Sequence, residues 1–273
     1  MVAAAVNGHA PSKNGHQKVT MAPLLTVTYI GGPTAVIEFA GLRFLTDPTF
    51  DPAGTEYTTS AYTLRKTQSP ALDVPELGHI DAVLLSHDHH FDNLDRVGRA
   101  LLTHIAATLT TAAGAERLGG TTRGLAPWDT VDLSDQVRVT AVPGRHGPAG
   151  GDRGPVLGFV LTSTGQDGAV YVSGDTVWYD GLQEIGRRFT IDVALLNMGA
   201  AKVAVAGPQP LTFTADDGVA LALAWPHARI VPLHFEGWEH FTESRAEIEQ
   251  TFEAAGLGGR LAWLLPGRPT RVS

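Results

Sequence analysis

Ten consecutive residues, Ser86-His87-Asp88-His89-His90-Phe91-Asp92-Asn93-Leu94-Asp95, carry three imidazoles and three carboxylates. Neutral imidazole and ionised carboxylate are the nitrogen and oxygen donors that a divalent cation such as zinc accepts. They follow the apolar run Ala82-Val83-Leu84-Leu85, which reads as a buried strand. The end of a core strand has little other use for so many groups that are costly to desolvate. Three further donors also follow strand-like runs. His146 comes after residues 137–142, Asp175 after Tyr171-Val172-Ser173-Gly174, and His234 after Ile230-Val231-Pro232-Leu233. Singly, a strand-end histidine is more often structural and a Gly-Asp pair more often a turn. Four such points along one chain indicate a metal site. Cysteine is absent, which removes thiolate ligands, disulfides and cysteine nucleophiles together, so His, Asp or Glu must hold any metal.

The elements that must position these donors follow a regular pattern. Residues 24–30, 35–39 and 42–46 are short β-rich runs separated by Gly31-Gly32-Pro33 and Gly41, the signature of an antiparallel meander. Residues 47–71 form a long polar connection, and such connections in compact domains are usually functional. Leu94, Val97, Leu101 and Leu102 recur at helical spacing. Residues 108–110, 137–142, 158–162, 169–172, 193–196 and 229–233 read as strands, and 261–265 closes the chain. Thr214-Ala215-Asp216-Asp217 fits a capping box opening a helix that Pro226 ends. A second helix is predicted over 242–255, with Gly256 as its C-terminal stop. Strands dominate early and alternate with helices later, which predicts two sheets covered by helices, an α/β layered fold.

Composition narrows the function. The chain has 273 residues and a net charge of −8, without any Lys/Arg-rich run, so binding to nucleic acid is not expected. No apolar stretch is long enough to span a membrane. Residues 1–20 lack the basic start and apolar centre of a signal peptide, and a cytoplasmic protein is expected. Residues 1–22 read as a flexible arm, with His9 and His16 as solvated tail residues, ahead of one domain over 23–273. A small-molecule substrate is expected, and homo-oligomerisation is left open.

The spacing of the histidine and aspartate cluster, His146, Asp175 and His234 resembles the metallo-β-lactamase fold superfamily of metal-dependent hydrolases. The opening Ile30-Gly31, Val36 to Phe39, Gly41-Leu42-Arg43-Phe44 and Leu45-Thr46-Asp47-Pro48 is similar to the branch holding ascorbate-6-phosphate lactonase and N-acyl-phosphatidylethanolamine phospholipase D. So is Pro232-Leu233-His234-Phe235-Glu236-Gly237-Trp238. The resemblance covers residues 24–267. It implies a four-layer αββα sandwich of two mixed β-sheets, with metals in a cleft along one edge. It also implies that His87, His89 and His146 hold a first metal, that Asp175 bridges two metals, and that His234 holds the second. Zinc, as one or two ions, is the implied cofactor, with manganese and iron as alternatives. Such metals polarise a scissile carbonyl or phosphoryl group and lower the pKa of water.

This chain departs from the family pattern His-x-His-x-Asp-His. It is one residue longer, and Asn93 stands where the last histidine belongs. Asp92 is then the family aspartate, as ligand or proton acceptor, and His90 competes with His89 as the second ligand. Asn93 offers a metal only a weak amide oxygen, which leaves one metal or two open. Gly32 stands where the branch often carries a histidine. Asp88 and Asp95 are either acceptors for ligand imidazoles or, equally, a solvated loop charge and a helix first-turn acid. Asp47 before Pro48 reads as a turn former, with an acceptor behind a ligand imidazole as the alternative. Trp178, Trp238, His240 and Arg145 are the candidate substrate-side residues, against the plainer readings of core tryptophans and, for Arg145 and Arg153, solvated loop arginines. His79, His104 and His227 read as structural.

The function expected is a metal-dependent hydrolase of a small-molecule ester or lactone, with Asp92 and Asp175 as catalytic carboxylates. The alternatives are a phosphodiesterase, a non-hydrolytic biosynthetic enzyme (isomerase, lyase or oxygen chemistry) on the same fold, and a non-catalytic metal-containing binding protein.

Overall fold

The computed structural model describes Met1 and residues 25–273. Apart from Met1, the predicted N-terminal arm, with His9 and His16, lies outside the described residues. In chain order, β1 (Leu25–Gly31), β2 (Thr34–Phe39) and β3 (Leu42–Thr46) form the antiparallel meander expected from the glycine punctuation. The long polar connection that follows contains a small hairpin, β4 (Glu56–Thr58) and β5 (Thr63–Arg65). Then come β6 (Ala82–Leu84), helix α1 (Arg96–Leu101), β7 (Thr108–Thr111), α2 (Ala112–Leu118) and β8 (Thr122–Leu125). The second half holds β9 (Thr130–Asp132), β10 (Val137–Pro143), β11 (Leu157–Ser163), β12 (Ala169–Val172), α3 (Asp180–Arg188) and β13 (Ile191–Asn197). It closes with α4 (Ala215–Ala224), β14 (Arg229–Leu233), α5 (Arg245–Ala254) and β15 (Pro269–Val272).

Two mixed sheets result, ordered β15-β1-β2-β3-β6-β7-β8 and β14-β13-β12-β11-β10-β9. Each pairs antiparallel strands on one side with parallel strands on the other, β3-β6-β7-β8 in the first and β12-β13-β14 in the second. The period-2 alternation of side chains assigns the layers. Ala35, Ile37 and Phe39 of β2 join Val139, Ala141 and Phe159 in the core between the sheets, while Val36 turns to the opposite face. Val142, Val160 and Tyr171 turn outward onto a third cluster that includes Leu182 and Ile185 of α3, Leu221 of α4 and Phe252 of α5. The outer face of the first sheet is covered by Leu94, Leu102 and Ile105 around α1. The architecture is the four-layer αββα sandwich that the family resemblance implies.

Local chemistry explains the boundaries. Thr214 caps α4 and forms the expected capping box with Asp217. The helix predicted over 242–255 begins three residues later, because Ser244 takes the cap and pairs reciprocally with Glu247. The predicted closing strand at 261–265 is reduced to one bridge between Leu261 and Ile230. The last strand is instead β15, which pairs with β1 at the other end of the chain.

Candidate metal centre

The donors gather because the fold brings the C-terminal ends of β3, β6, β10, β12, β13 and β14 to one edge of the sandwich. In open α/β sheets that edge is where ligands bind. Asp47 follows β3, the 86–95 loop follows β6, His146 follows β10, Asp175 follows β12, Asn197 ends β13, and His234 follows β14. His87, His146, Asp175 and His234 are all buried, as are Asp92 and Asn93.

Two clusters form within this edge. In the first, Nε2 of His87 lies 2.9 Å from Nδ1 of His90. Nε2 of His146 lies 3.2 Å from that same His90 atom and 3.6 Å from Oδ2 of Asp175. Ligand atoms bound tetrahedrally at about 2.1 Å from one cation stand roughly 3.4 Å apart, close to these three separations, and donor atoms of His87, His146 and Asp175 lie within 4.8 Å of one another. Oδ2 of Asp175 is buried and has no hydrogen-bond donor, as a carboxylate oxygen aimed at a cation would be. Burial, helped by the neighbouring imidazoles, holds His87 well below its ordinary pKa and pushes His90 down to about 3, which keeps both rings in the neutral, metal-binding form. The outward nitrogens are fixed: Nδ1 of His146 lies 2.8 Å from the Leu211 carbonyl, and Nδ1 of His87 lies 2.9 Å from Oγ of Ser86. Ser86 in turn donates to Asp47, through its backbone N–H at 2.6 Å and its hydroxyl at 2.9 Å. These contacts set tautomer and ring orientation.

The second cluster is Asp92, His234 and His240. Oδ2 of Asp92 is 2.9 Å from Nε2 of His240 and 3.5 Å from Nε2 of His234. Nε2 of His234 also lies 3.8 Å from Oδ1 of Asp175, which accepts a hydrogen bond from Nδ2 of Asn197 at 2.7 Å. His234 is fully buried at φ +53°, a conformation rare for residues other than glycine, and neither ring nitrogen has a hydrogen-bond partner. Burial opposes ionisation of Asp92, but the His234 and His240 imidazoles outweigh it and hold its carboxyl well below the usual range. Burial likewise opposes protonation of His234, and the carboxylates of Asp175 and Asp92 outweigh it and push its pKa up.

The structure distributes the remaining sequence candidates differently. His89 turns Nε2 to the Arg153 carbonyl at 2.8 Å, while His90 points at His87 and His146. Asn93 donates to Asp47 at 3.3 Å. Asp47 takes the alternative to the preferred turn-former reading: it is a buried acceptor behind His87, reached through Ser86. Asp88 accepts the Arg117 guanidinium and not an imidazole. Asp95 caps α1 through Gly98 and meets Lys66. Of the substrate-side candidates, only His240 lines the cleft above the clusters. Trp178 packs against the outer core, Trp238 is buried beside Tyr57 and Leu64, and Arg145 stacks on Tyr179, 4.6 Å from its ring centre. The cleft is walled by Tyr62, Leu64, Ala201, Val203 and Leu211, with Arg153 among its charged groups. Sequence reasoning missed Asn197 and Tyr62. A single polar residue ending an apolar strand was the only available signal for Asn197.

Residues 42–235 match the family described as the beta-lactamase superfamily domain. The UPF0173 protein YddR of Bacillus subtilis (strain 168) is 27% identical over 252 residues, covering 87% of this chain and 96% of its own. A UPF0173 metal-dependent hydrolase of Pyrobaculum calidifontis is 26% identical over 236 residues, covering 84% of this chain and 92% of its own. The crystal structure of an isothiocyanate hydrolase from Delia radicum gut bacteria superposes with a TM-score of 0.78 at 24% identity, covering 91% of this chain and 99% of that one.

Proposed function

The chain belongs to the beta-lactamase superfamily, and from that membership we propose that it is a metal-dependent hydrolase of a small-molecule ester or lactone. The observation that carries this reading is the convergence of three imidazole nitrogens and one donor-free carboxylate oxygen beneath a cleft. His87, His90, His146 and Asp175 are the residues that would hold the cation. A divalent cation held there supplies a Lewis acid for a scissile carbonyl and lowers the pKa of water towards neutrality. Such chemistry needs no serine or cysteine nucleophile. The chain's own part is orientation: the Leu211 carbonyl and the Asp47–Ser86 pair fix the rings of His146 and His87, and Asn197 fixes the carboxylate of Asp175. Asp92, held ionised between two imidazoles, is suited to binding a cation more than to taking up a proton.

The Leu64, Ala201, Val203 and Leu211 side chains along the cleft suit an apolar body on the substrate. Arg153 has no carboxylate partner among the described residues, so the favoured substrate carries an anionic group that meets it. The test is hydrolysis of a panel of esters and lactones by protein loaded with zinc or manganese. Chelation or His146→Ala should abolish turnover. Arg153→Ala should raise KM for a carboxylate-bearing ester while leaving its neutral analogue unchanged. A metal-loaded protein that hydrolyses no member of the panel refutes the assignment.

A further inference from the structure

The 86–95 loop offers one carboxylate to the second cluster but no imidazole beside it, because position 93 is asparagine. We infer that His240, reaching in from the loop after β14, supplies the missing donor, so that Asp92, His234 and His240 form a second cation site sharing Asp175 with the first. The inference rests on the metal-dependent reading above and adds to it a second ion and a ligand from an unexpected place in the chain.

Four observations carry it. Nε2 of His240 and Nε2 of His234 approach the same oxygen of Asp92, at 2.9 and 3.5 Å. Both nitrogens of His234 are buried without a hydrogen-bond partner, a costly arrangement unless something not made of protein occupies the gap. Asp175 divides its oxygens, Oδ2 towards His146 at 3.6 Å and Oδ1 towards His234 at 3.8 Å, which is how one carboxylate spans two ions. Asn93 points its amide donor at Asp47 and leaves only its buried, unpartnered Oδ1, a weaker donor to a cation than an imidazole.

His240 is also built into place. The Thr67 N–H donates to the Gly237 carbonyl at 2.8 Å, the Glu239 N–H to the Arg65 carbonyl at 3.1 Å, and the Lys202 N–H to the His240 carbonyl at 2.9 Å. The Phe241 ring lies 4.7 Å from the imidazole. Residues 65–67, at and just past the end of β5, therefore hold the 237–240 loop against the site, which gives the long connection after β3 a structural purpose.

The test counts cations. Full-length protein is stripped with a chelator and titrated with zinc or cobalt(II), and metal per chain is measured by mass spectrometry alongside the cobalt absorption spectrum. Wild type should take up two equivalents. His240→Ala should keep the first and bind the second at least about 100-fold more weakly. His240→Ala with Asn93→His should regain the second, since an imidazole is then returned to the loop. Should the alanine variant lose its first equivalent as well, the same count is made on His240→Asn, where one equivalent is expected. Two equivalents of undiminished affinity in either His240 variant overturn the inference, as does wild type that binds only one. Both results leave the single-cation hydrolase standing. Wild type that binds none overturns the hydrolase reading as well.

Discussion

Asp95 ends the ligand-bearing loop, and removing its carboxylate should nearly unfold the protein. Its Oδ1 accepts the Gly98 N–H at 2.8 Å and caps α1. Its Oδ2 accepts the Asp51 N–H at 2.6 Å and faces the Lys66 ammonium at 3.3 Å. Asp95 is 0% exposed and Lys66 4%. Burial pushes the Asp95 carboxyl above its ordinary pKa and the Lys66 ammonium below, so each group is tolerated mainly because the other is there. Asp95→Ala leaves the ammonium stranded, which costs about 3–5 kcal/mol, and loses a helix cap worth about 1 kcal/mol. The sum, about 4–6 kcal/mol, approaches the whole stability of a domain at the lower end of the usual range of about 5–15 kcal/mol. Lys66→Met keeps the apolar stem and removes the charge, so Asp95→Ala with Lys66→Met should recover more than half of the loss. Urea denaturation of the chelated proteins measures all four corners of the cycle, free of stabilisation by bound metal. An Asp95→Ala loss below 1 kcal/mol, or a double variant whose loss equals the sum of the two singles, would refute this account of the pair.

Two further outcomes follow from residues behind the site. Burial raises the Asp47 carboxyl to about 7, so its contribution to the fold is fully present below about pH 4 and is lost as pH rises through 7. In chelated protein, Asp47→Asn should gain on wild type across that window, by up to about 4 kcal/mol at 1.36 kcal/mol per pH unit, and a gap that does not change with pH would contradict the assignment. Gly174, at φ +57°, precedes Asp175, and a Cβ there would fall 2.5 Å from Cβ of Ser86 and 2.7 Å from the Leu157 carbonyl oxygen. Gly174→Ala should cost about 1–2 kcal/mol for the left-handed backbone alone, lower Tm, and reduce cation uptake by displacing Asp175. Unchanged uptake would show that Asp175 keeps its position without this turn.

Much of the fold could be read from local chemistry. The meander, the capping box at Thr214 and the strand over 229–233 are each specified by residues close in sequence. The pairing of β15 with β1 could not, because nothing in Pro269-Thr270-Arg271-Val272 identifies a partner more than 240 residues away. The same divide runs through the site. His87, His146, Asp175 and His234 stand out because polar donors directly follow apolar strands. His240 does not: its neighbours Trp238 and Phe241 make the segment look like a pocket wall, and its partner Asp92 lies 148 residues earlier. Which of His89 and His90 turns towards His146 required coordinates too, since both sit beside His87 in one short loop.

The donors are divided between the sheets: His87, His90 and Asp92 follow a strand of the first, while His146, Asp175 and His234 follow strands of the second. An ion held between them would rivet the two halves of the sandwich together at one edge, far from β15 and β9 at the ends of the sheets. Loading the site would then stiffen the molecule unevenly, and amide hydrogen exchange should slow most at the ends of β6, β10, β12 and β14 and least at the opposite rim. The same rivet would add metal occupancy to the shared hydrophobic core that keeps the two halves aligned, tying the chemistry of the cleft to the mechanical integrity of the fold.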